Sequence, residues 1–140
     1  MPSKQKNTTQ EYKYTFTLTS EQTKEALKAI ELLMRLKINQ PHEISKAVLD
    51  SMYERIGIQE FCDRKDKADK YIDQAFNVIF PTWDEVQKDN EWYRLYNIYQ
   101  VIRFAIHETE YPNSIGVDSY SPIQFTEEPL PEWKGENVYR

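Results

Sequence analysis

The positions of the prolines divide this chain into a part that can be helical and a part that cannot. Between residues 20 and 108 the only prolines are Pro41 and Pro81, and each lies at the edge of an apolar stripe with helical spacing. Four more prolines follow, at positions 112, 122, 129 and 131. Because proline lacks a backbone N–H and clashes with the preceding helical turn, residues 111–140 cannot form one helix. We expect about four helices and then a proline-rich, partly extended C-terminal arm, residues 111–140.

The four predicted helices are recognised by apolar side chains that recur every three or four residues. Thr19 precedes the first helix, and Gln22, three residues later, completes a capping box. Gly57 has the position of a residue that ends the second helix. The fourth stripe begins at Trp92, is the most apolar and predicts the central helix. The first helix is expected to begin after Thr19 and to end at Asn39, and the second to run from Pro41 to near Arg55. The third is expected to begin after Asp63 and to end at Pro81. The fourth is expected to run from near Asp89 or Asn90 to near Glu108.

The residues before the first helix repeat their apolar side chains with a different spacing from that of the helices. Residues 12–19 alternate aromatic or apolar side chains with polar ones, which predicts a half-buried β-strand. A strand cannot satisfy its backbone groups alone, so its partner must be the C-terminal arm or another copy of the chain. The polar, aperiodic residues 1–10 are predicted to be a disordered tail. Residues 11–140 are predicted to be a single, mainly α domain of the α+β class.

The C-terminal arm carries more apolar surface than a free linker would. Two of its stretches, residues 115–120 and 123–125, have the composition of short strands. We expect the arm to pack across the helices or across a neighbouring subunit. Together with the unpaired strand, this predicts a homo-oligomer. The large apolar side chains of the arm are Ile115, Val117, Tyr120, Ile123, Phe125, Leu130 and Trp133.

Composition excludes several classes of function. The net charge of −5 does not suit binding to a nucleic-acid polymer, which requires a basic surface. The three glycines leave no Gly-rich phosphate loop, and the single cysteine, Cys62, excludes an intrachain disulfide. No apolar run approaches the roughly 20 residues of a membrane span, and the N-terminus lacks the apolar core of a signal peptide. We expect a cytoplasmic protein without membrane contact.

No pattern of catalytic or metal-binding residues is present. The two histidines, His42 and His107, lack the spacing of a zinc-protease or diiron motif. Cys62 has no recognisable triad around it, and no serine lies in a Gly-x-Ser-x-Gly turn. The sequence therefore predicts a protein that is not an enzyme and that has no metal and no cofactor.

One face of the fourth predicted helix suits a nucleotide. Tyr96, Tyr99 and Arg103 fall at i, i+3 and i+7 and so share a face. Aromatic rings can stack a base, and an arginine can hold a phosphate with two parallel hydrogen bonds. Arg35 and Gln40, in the first corner between helices, are candidates for further polar contacts. In the commoner arrangement, such tyrosines belong to the core and the arginine to an ion pair.

Three stretches of the chain resemble a widespread group of small phage and prophage proteins, most of which have no assigned function. In that group, an arginine, a glutamine and a Glu-Ile pair are placed like Arg35, Gln40 and residues 43–44. A Tyr-Gln-Val-Ile-Arg core is placed like residues 99–103. The resemblance covers residues 12 to about 131, and its matching stretches are residues 35–44, 96–103 and 117–118.

The resemblance implies a counter-defence function in the cytoplasm of the host cell. Such a protein would bind and sequester a cyclic di- or oligonucleotide immune signal without cleaving it, at a pocket between subunits. The alternative is a structural or morphogenetic phage protein, or one that masks a host protein, with no small-molecule ligand. This chain has Phe104 where the group has a polar residue and Asn39 where glycine is usual, so neither position inherits a role. The candidate ligand-binding residues are Tyr96, Tyr99 and Arg103, with Arg35, Gln40 and Tyr120 as further candidates.

Overall fold

Helices account for most of the described chain. The computed structural model describes residues 11–86 and 89–138, so the predicted disordered tail, residues 1–10, lies outside the described residues. The mainly helical class is confirmed, and no helix in the described ranges is long and apolar enough to cross a membrane. The helices are α1 (Ser20–Lys37), α2 (Glu43–Leu49), α3 (Tyr53–Ile56), α4 (Ile58–Ile79) and α5 (Asn90–Glu110), with single 3-10 turns at Asp50–Met52, Trp83–Glu85 and Val117–Ser119.

The first turn of α1 is capped as the sequence predicts, and α5 begins where it was expected, with a cap that was not predicted. The Gln22 N–H donates to Thr19 Oγ1 over 3.2 Å, and the Thr19 N–H donates to Gln22 Oε1 over 3.0 Å. Asp89 caps α5, because its Oδ1 accepts from the Trp92 N–H at 3.0 Å. These side chains satisfy backbone donors that have no partner inside a helix.

Replacing Thr19 with alanine is expected to destabilise the protein by about 1 kcal/mol, because the cap of α1 loses its acceptor. Urea unfolding followed by circular dichroism measures the change. Thr17→Ala is the matched control, since Thr17 is exposed and lies before α1, outside any helix. Equal midpoints for the two variants would contradict a stabilising role for the cap.

The corner between α1 and α2 forms where the sequence predicts it. Asn39 has a φ of 59°, the left-handed conformation that commonly ends a helix. The N–H groups of Asn39 and Gln40 donate to the carbonyls of Leu36 and Arg35 over 3.2 and 2.8 Å. Asparagine tolerates this conformation better than other residues with a side chain, so Asn39 serves at a position that also suits glycine.

The prediction that Asp63 caps the third helix is wrong. Helix α4 begins five residues earlier, at Ile58, directly after Gly57 with its φ of 79°. Glycine reaches this conformation without steric cost, so it both ends α3 and turns the chain into α4. Asp63 lies inside α4, where its carboxylate accepts from Gln59 Nε2 at 3.2 Å. The predicted second helix is also interrupted, by the 3-10 turn at Asp50–Met52.

The predicted strands are not formed within the described residues. Residues 12–19 carry no β-ladder, and Tyr14 and Phe16 are 78% and 79% exposed. The short strands expected at 115–120 and 123–125 are also absent, and part of the first is the 3-10 turn Val117–Ser119. A strand requires a second backbone as partner. In the described chain, the polar groups of the arm bond instead to side chains of α5.

The helices pack as one pair, α1 with α5, and one group of three, α2, α3 and α4. Helix α1 lies antiparallel to α5, with the ion pairs Lys37–Glu91 (3.1 Å) and Lys24–Glu110 (3.0 Å) at opposite ends. Helix α4 packs on α2 and α3, and α2 also contacts α1. Within the described ranges, the apolar side chains that are less than a tenth exposed are Met34, Leu49 and Val101. The enclosed core of the isolated chain is therefore small.

Candidate ligand-binding site

The aromatic residues of α5 form a row that ends at Arg103. Tyr96 stacks on Trp92 with ring centroids 5.3 Å apart, and Tyr99 continues the row 6.3 Å from Tyr96. The Arg103 guanidinium carbon lies 5.0 Å from the centroid of the Tyr99 ring. Helical spacing along α5 thus brings Tyr96, Tyr99 and Arg103 together, with the guanidinium over the last ring.

Arg103 is partly buried but has hydrogen-bonding capacity left. Its side chain is 19% exposed, and its Nε lies 3.4 Å from Oδ1 of Asp118, a residue of the turn Val117–Ser119. Among the described residues, its two Nη groups donate no hydrogen bond. Asp118 is 62% exposed, so this ion pair lies at the surface. The guanidinium can therefore present a two-pronged donor to an anion, as arginines do to phosphate.

The C-terminal arm covers the opposite end of the aromatic row. Phe125 meets Tyr96 edge to face at 5.2 Å and stacks on Tyr93 at 6.1 Å. Tyr96 is thus in contact with the arm, and Tyr99 is the ring that lies against the guanidinium. Tyr120, also on the arm, is 68% exposed and follows Asp118 by two residues.

Three buried polar side chains of α5 hold the arm in place. Gln100 forms two hydrogen bonds with the backbone of Ile123: its Nε2 donates to the Ile123 carbonyl at 2.9 Å, and its Oε1 accepts from the Ile123 N–H at 3.1 Å. Asn97 accepts from the Phe125 N–H at 3.0 Å and donates to Thr126 Oγ1 at 3.0 Å. His107 Nε2 lies 2.7 Å from the Ser114 carbonyl oxygen. These side chains thus supply the hydrogen bonds to the arm backbone that a neighbouring β-strand would otherwise supply.

Sequence reasoning missed these three docking residues. Asn97, Gln100 and His107 are the polar positions along the buried face of the most apolar helix. Buried polar groups require partners, so polar residues on such a face indicate a polar segment packed against it. That signal was present in the sequence. His107, near the end of the helix, is only 4% exposed.

Two further contacts fix the outer part of the arm. Arg94 pairs with Glu128, its Nε lying 2.9 Å from each carboxylate oxygen. The hydrogen bonds to Glu128 raise the pKa of Arg94, and the same bonds lower the pKa of Glu128. At Gly135, a Cβ atom would lie 1.8 Å from Thr109 Oγ1, so the arm backbone lies against the Thr109 side chain of α5 and a larger residue would displace that side chain.

Arg35 and Gln40 lie in a second place, at the corner between α1 and α2. Arg35 Nη1 donates to Gln40 Oε1 at 2.7 Å, while its Nε and Nη2 donate to Glu31 at 3.1 and 3.0 Å. No described hydrogen bond, ion pair or ring contact links this corner to the Tyr99–Arg103 pair. The two groups of predicted residues therefore form separate clusters in the single chain.

A shallow cavity of about 450 Å³ opens at the same corner. Gln40 lines it, whereas Tyr96, Tyr99 and Arg103 do not. The remaining lining residues are Asn39, Pro41, His42, Glu43, Asp73, Phe76 and Asn77. Within the described chain, no group of three or more His, Cys, Asp or Glu side chains is arranged to hold a metal ion. The cavity is thus a polar recess beside the helix corner.

Behind the cavity, a buried carboxylate joins α2 to α4. The Asp69 carboxylate accepts a hydrogen bond from the Ser45 hydroxyl and another from Lys65 Nζ, the latter at 2.6 Å. Asp73, which lies in α4 with Asp69, has its Oδ1 2.6 Å from His42 Nε2. Burial favours the protonated form of Asp69. The hydrogen bonds from Lys65 and Ser45, with the nearby His42, outweigh it and hold the pKa of Asp69 below its usual value.

Replacing Asp69 with asparagine is expected to lower stability at neutral pH by about 1–3 kcal/mol, because buried charge-assisted hydrogen bonds are lost. Since the folded-state pKa is lowered, the carboxylate stabilises the fold above its unfolded pKa of about 3.9. That stability is lost as the pH falls through the folded pKa. Urea unfolding from pH 7 to pH 3 should show the gap between wild type and variant closing in acid. A gap that does not change with pH would contradict this, and Asp66→Asn, on the exposed face, is the control.

Comparison with known proteins gives no relative from which a role can be transferred. No family model, no curated protein and no solved structure matches this chain. The function is therefore inferred from the residues and contacts described above.

Proposed function

We propose that this protein binds a cyclic di- or oligonucleotide and sequesters it without cleaving it, as one subunit of a homo-oligomer. The observation that carries the proposal is the Arg103 guanidinium, which lies over the Tyr99 ring with both Nη groups available in the described chain. The aromatic rings can stack on the bases of the ligand, and the arginine can contact its phosphates. Both interactions bind a nucleotide, and neither by itself breaks a phosphodiester bond.

The partial burial of Arg103 supports a selective site. The Arg103 side chain is 19% exposed, so it is less hydrated than a fully exposed arginine and attracts an anion more strongly. The chain as a whole is acidic, but a local positive group can still hold a small anion. Asp118 competes for the guanidinium, and a bound phosphate would take its place.

The site requires a second subunit to enclose a ligand. The Tyr99–Arg103 pair lies on a helix surface and does not line the cavity at the α1–α2 corner. Ligand pockets ordinarily bury most of the ligand surface. In the proposed assembly, a neighbouring copy supplies the opposite wall, for which Arg35, Gln40 and Tyr120 are candidates. The counter-defence role follows from the resemblance to the phage proteins.

Isothermal titration calorimetry against a panel of cyclic di- and trinucleotides tests the proposal. We expect one member to bind, with a stoichiometry set by the number of intersubunit sites. Linear dinucleotides of the same bases are the control for recognition of the closed ring. A folded, oligomeric protein that binds no member would overturn the proposal.

A second candidate function rests on the exposed apolar surface. Val78 of α4 and Ile115 of the arm are 82% and 97% exposed, so these large apolar side chains are available for contact with another protein. Such surfaces suit a structural or morphogenetic phage protein, or one that masks a host protein without any small-molecule ligand. Affinity capture from infected cells that returns one stoichiometric heterologous partner, with no binding in calorimetry, would favour this function.

A further inference from the structure

The cavity at the corner between α1 and α2 contains an amide whose orientation is fixed. Arg35 Nη1 donates to Gln40 Oε1 at 2.7 Å, and because an arginine side chain can only donate, the oxygen of this amide is engaged. Gln40 lines the cavity, and its Nε2 group is left as a donor with no partner among the described residues. A ligand of this cavity must therefore offer an acceptor to Gln40.

Two carboxylates of the same cavity require donors. Glu43 lines the cavity, is half-buried and has no hydrogen bond or ion pair within the described ranges. Asp73 has its Oδ1 2.6 Å from His42 Nε2, which leaves its Oδ2 as an acceptor. A partly buried carboxylate is stabilised by hydrogen-bond donors, because burial weakens its hydration. These carboxylates repel an anion, and a simple ammonium ion offers no acceptor to Gln40. The ligand must therefore combine donors with an acceptor.

Phe76 adds an aromatic ring to this polar set. It lies three residues after Asp73 in α4, so the two side chains share a face of the helix, and both line the cavity. A ring beside hydrogen-bonding groups suits a flat heterocycle, since every base has a face that can stack on an aromatic side chain. The cavity measures about 450 Å³, within the range of roughly 300–1,000 Å³ that is typical of small-molecule sites.

We propose that this cavity binds a guanine base, whose N1–H and N2 amino groups donate to the Glu43 carboxylate while its O6 accepts from Gln40 Nε2. Among the common bases, guanine alone has two adjacent N–H donors beside an acceptor on one edge, and such edges are read by side chains. Adenine would instead direct a ring acceptor at the carboxylate. The base pocket lies within one chain. That the base belongs to a cyclic nucleotide, with phosphates on Arg103 of a neighbouring copy, rests on the proposed function.

Side-chain amide signals in NMR spectra test where the base binds. Guanosine monophosphate, added to the isotope-labelled wild-type protein, should shift the NH₂ signals of Gln40 and Asn77, both of which line the cavity. Adenosine monophosphate carries the same phosphate and is the matched probe. It should bind at least roughly 10-fold more weakly, because a site built for two donors rejects a base that lacks them. Equal shifts with both probes, or shifts with neither, would overturn the inference.

Replacing Glu43 with glutamine tests the residue that selects the base. Glu43→Gln keeps the size of the side chain, removes its charge and replaces one acceptor with a donor, so the preference for guanosine over adenosine monophosphate should be lost. Glu54→Gln is the matched control, since Glu54 is exposed on α3 and does not line the cavity, and it should keep the preference. Circular dichroism verifies the helices of both variants. A folded Glu43→Gln protein with the wild-type preference would contradict the role of Glu43.

The calorimetric panel separates this inference from the proposed function. Rings that contain guanine should bind at least roughly 10-fold more tightly than rings that contain only adenine. Binding of the panel without a preference for guanine would leave the proposed function intact and overturn the base pocket. If no cyclic nucleotide binds while guanosine monophosphate alone shifts the Gln40 signal, the proposed function fails and the base pocket stands.

Discussion

Replacing Arg103 with alanine is expected to weaken binding of the cyclic nucleotide by roughly 10- to 100-fold. A hydrogen bond to a charged group contributes about 1.5–3 kcal/mol, and the variant loses both the phosphate contact and the stack on Tyr99. Arg103→Lys keeps the charge but loses the planar fork, so it should bind with intermediate affinity. Calorimetry with the ligand identified from the panel measures all three proteins.

Asp118 provides the control that separates binding from arm docking. Arg103→Ala removes the ion pair that links α5 to the turn Val117–Ser119, and Asp118→Ala removes the same pair while leaving the guanidinium in place. Because Asp118 competes with a phosphate, Asp118→Ala should bind the ligand as tightly as the wild type or more tightly. Equal weakening in both variants would show that the arm, and not the guanidinium, determines affinity.

Replacing Gln100 with leucine is expected to release the middle of the arm from α5. Leucine has a similar size but leaves the Ile123 N–H and carbonyl without their partners. An unsatisfied buried group costs about 1–3 kcal/mol, and the partly buried groups of Ile123 can regain partners from water if the arm detaches. Hydrogen exchange of the backbone amides from 120 to 126 should accelerate by at least roughly 10-fold while α4 keeps its protection.

Gln124→Leu is the matched control for this variant. Gln124 is exposed, and its Nε2 donates within the arm, to the Thr126 carbonyl at 2.9 Å. Its replacement should leave the exchange of residue 123 unchanged. If Gln100→Leu also leaves that exchange unchanged, the double hydrogen bond does not hold the arm.

Features of the fold that depend on neighbouring residues could be predicted from the sequence. The capping box at Thr19 and the start of α5 near Asp89 need only residues within the next turn, and both form as expected. The error at Asp63 has a local cause as well. Both Gly57 and Asp63 are plausible boundary residues, and the apolar side chains at Ile58 and Phe61 continue the helix back to the glycine.

Features that depend on distant segments could not be predicted in the same way. The alternation in residues 12–19 favours a strand, but pairing depends on a second backbone that the described chain does not provide. The arm has the apolar content to pack, yet its attachment runs through Gln100 and Asn97, whose role appears only when the two segments meet. For the candidate site, helical spacing predicted that Tyr99 and Arg103 meet; it could not predict Asp118 as their neighbour.

The central claim, sequestration without cleavage, is tested most directly by recovering the ligand. The wild-type protein is incubated with the cyclic nucleotide that binds in calorimetry, freed of excess ligand, and then denatured by heat. Chromatography of the supernatant should return the intact cyclic nucleotide in an amount equal to the binding sites, after hours as after minutes. Recovery of a linear or shortened product, increasing with incubation time, would contradict the account and identify the protein as an enzyme.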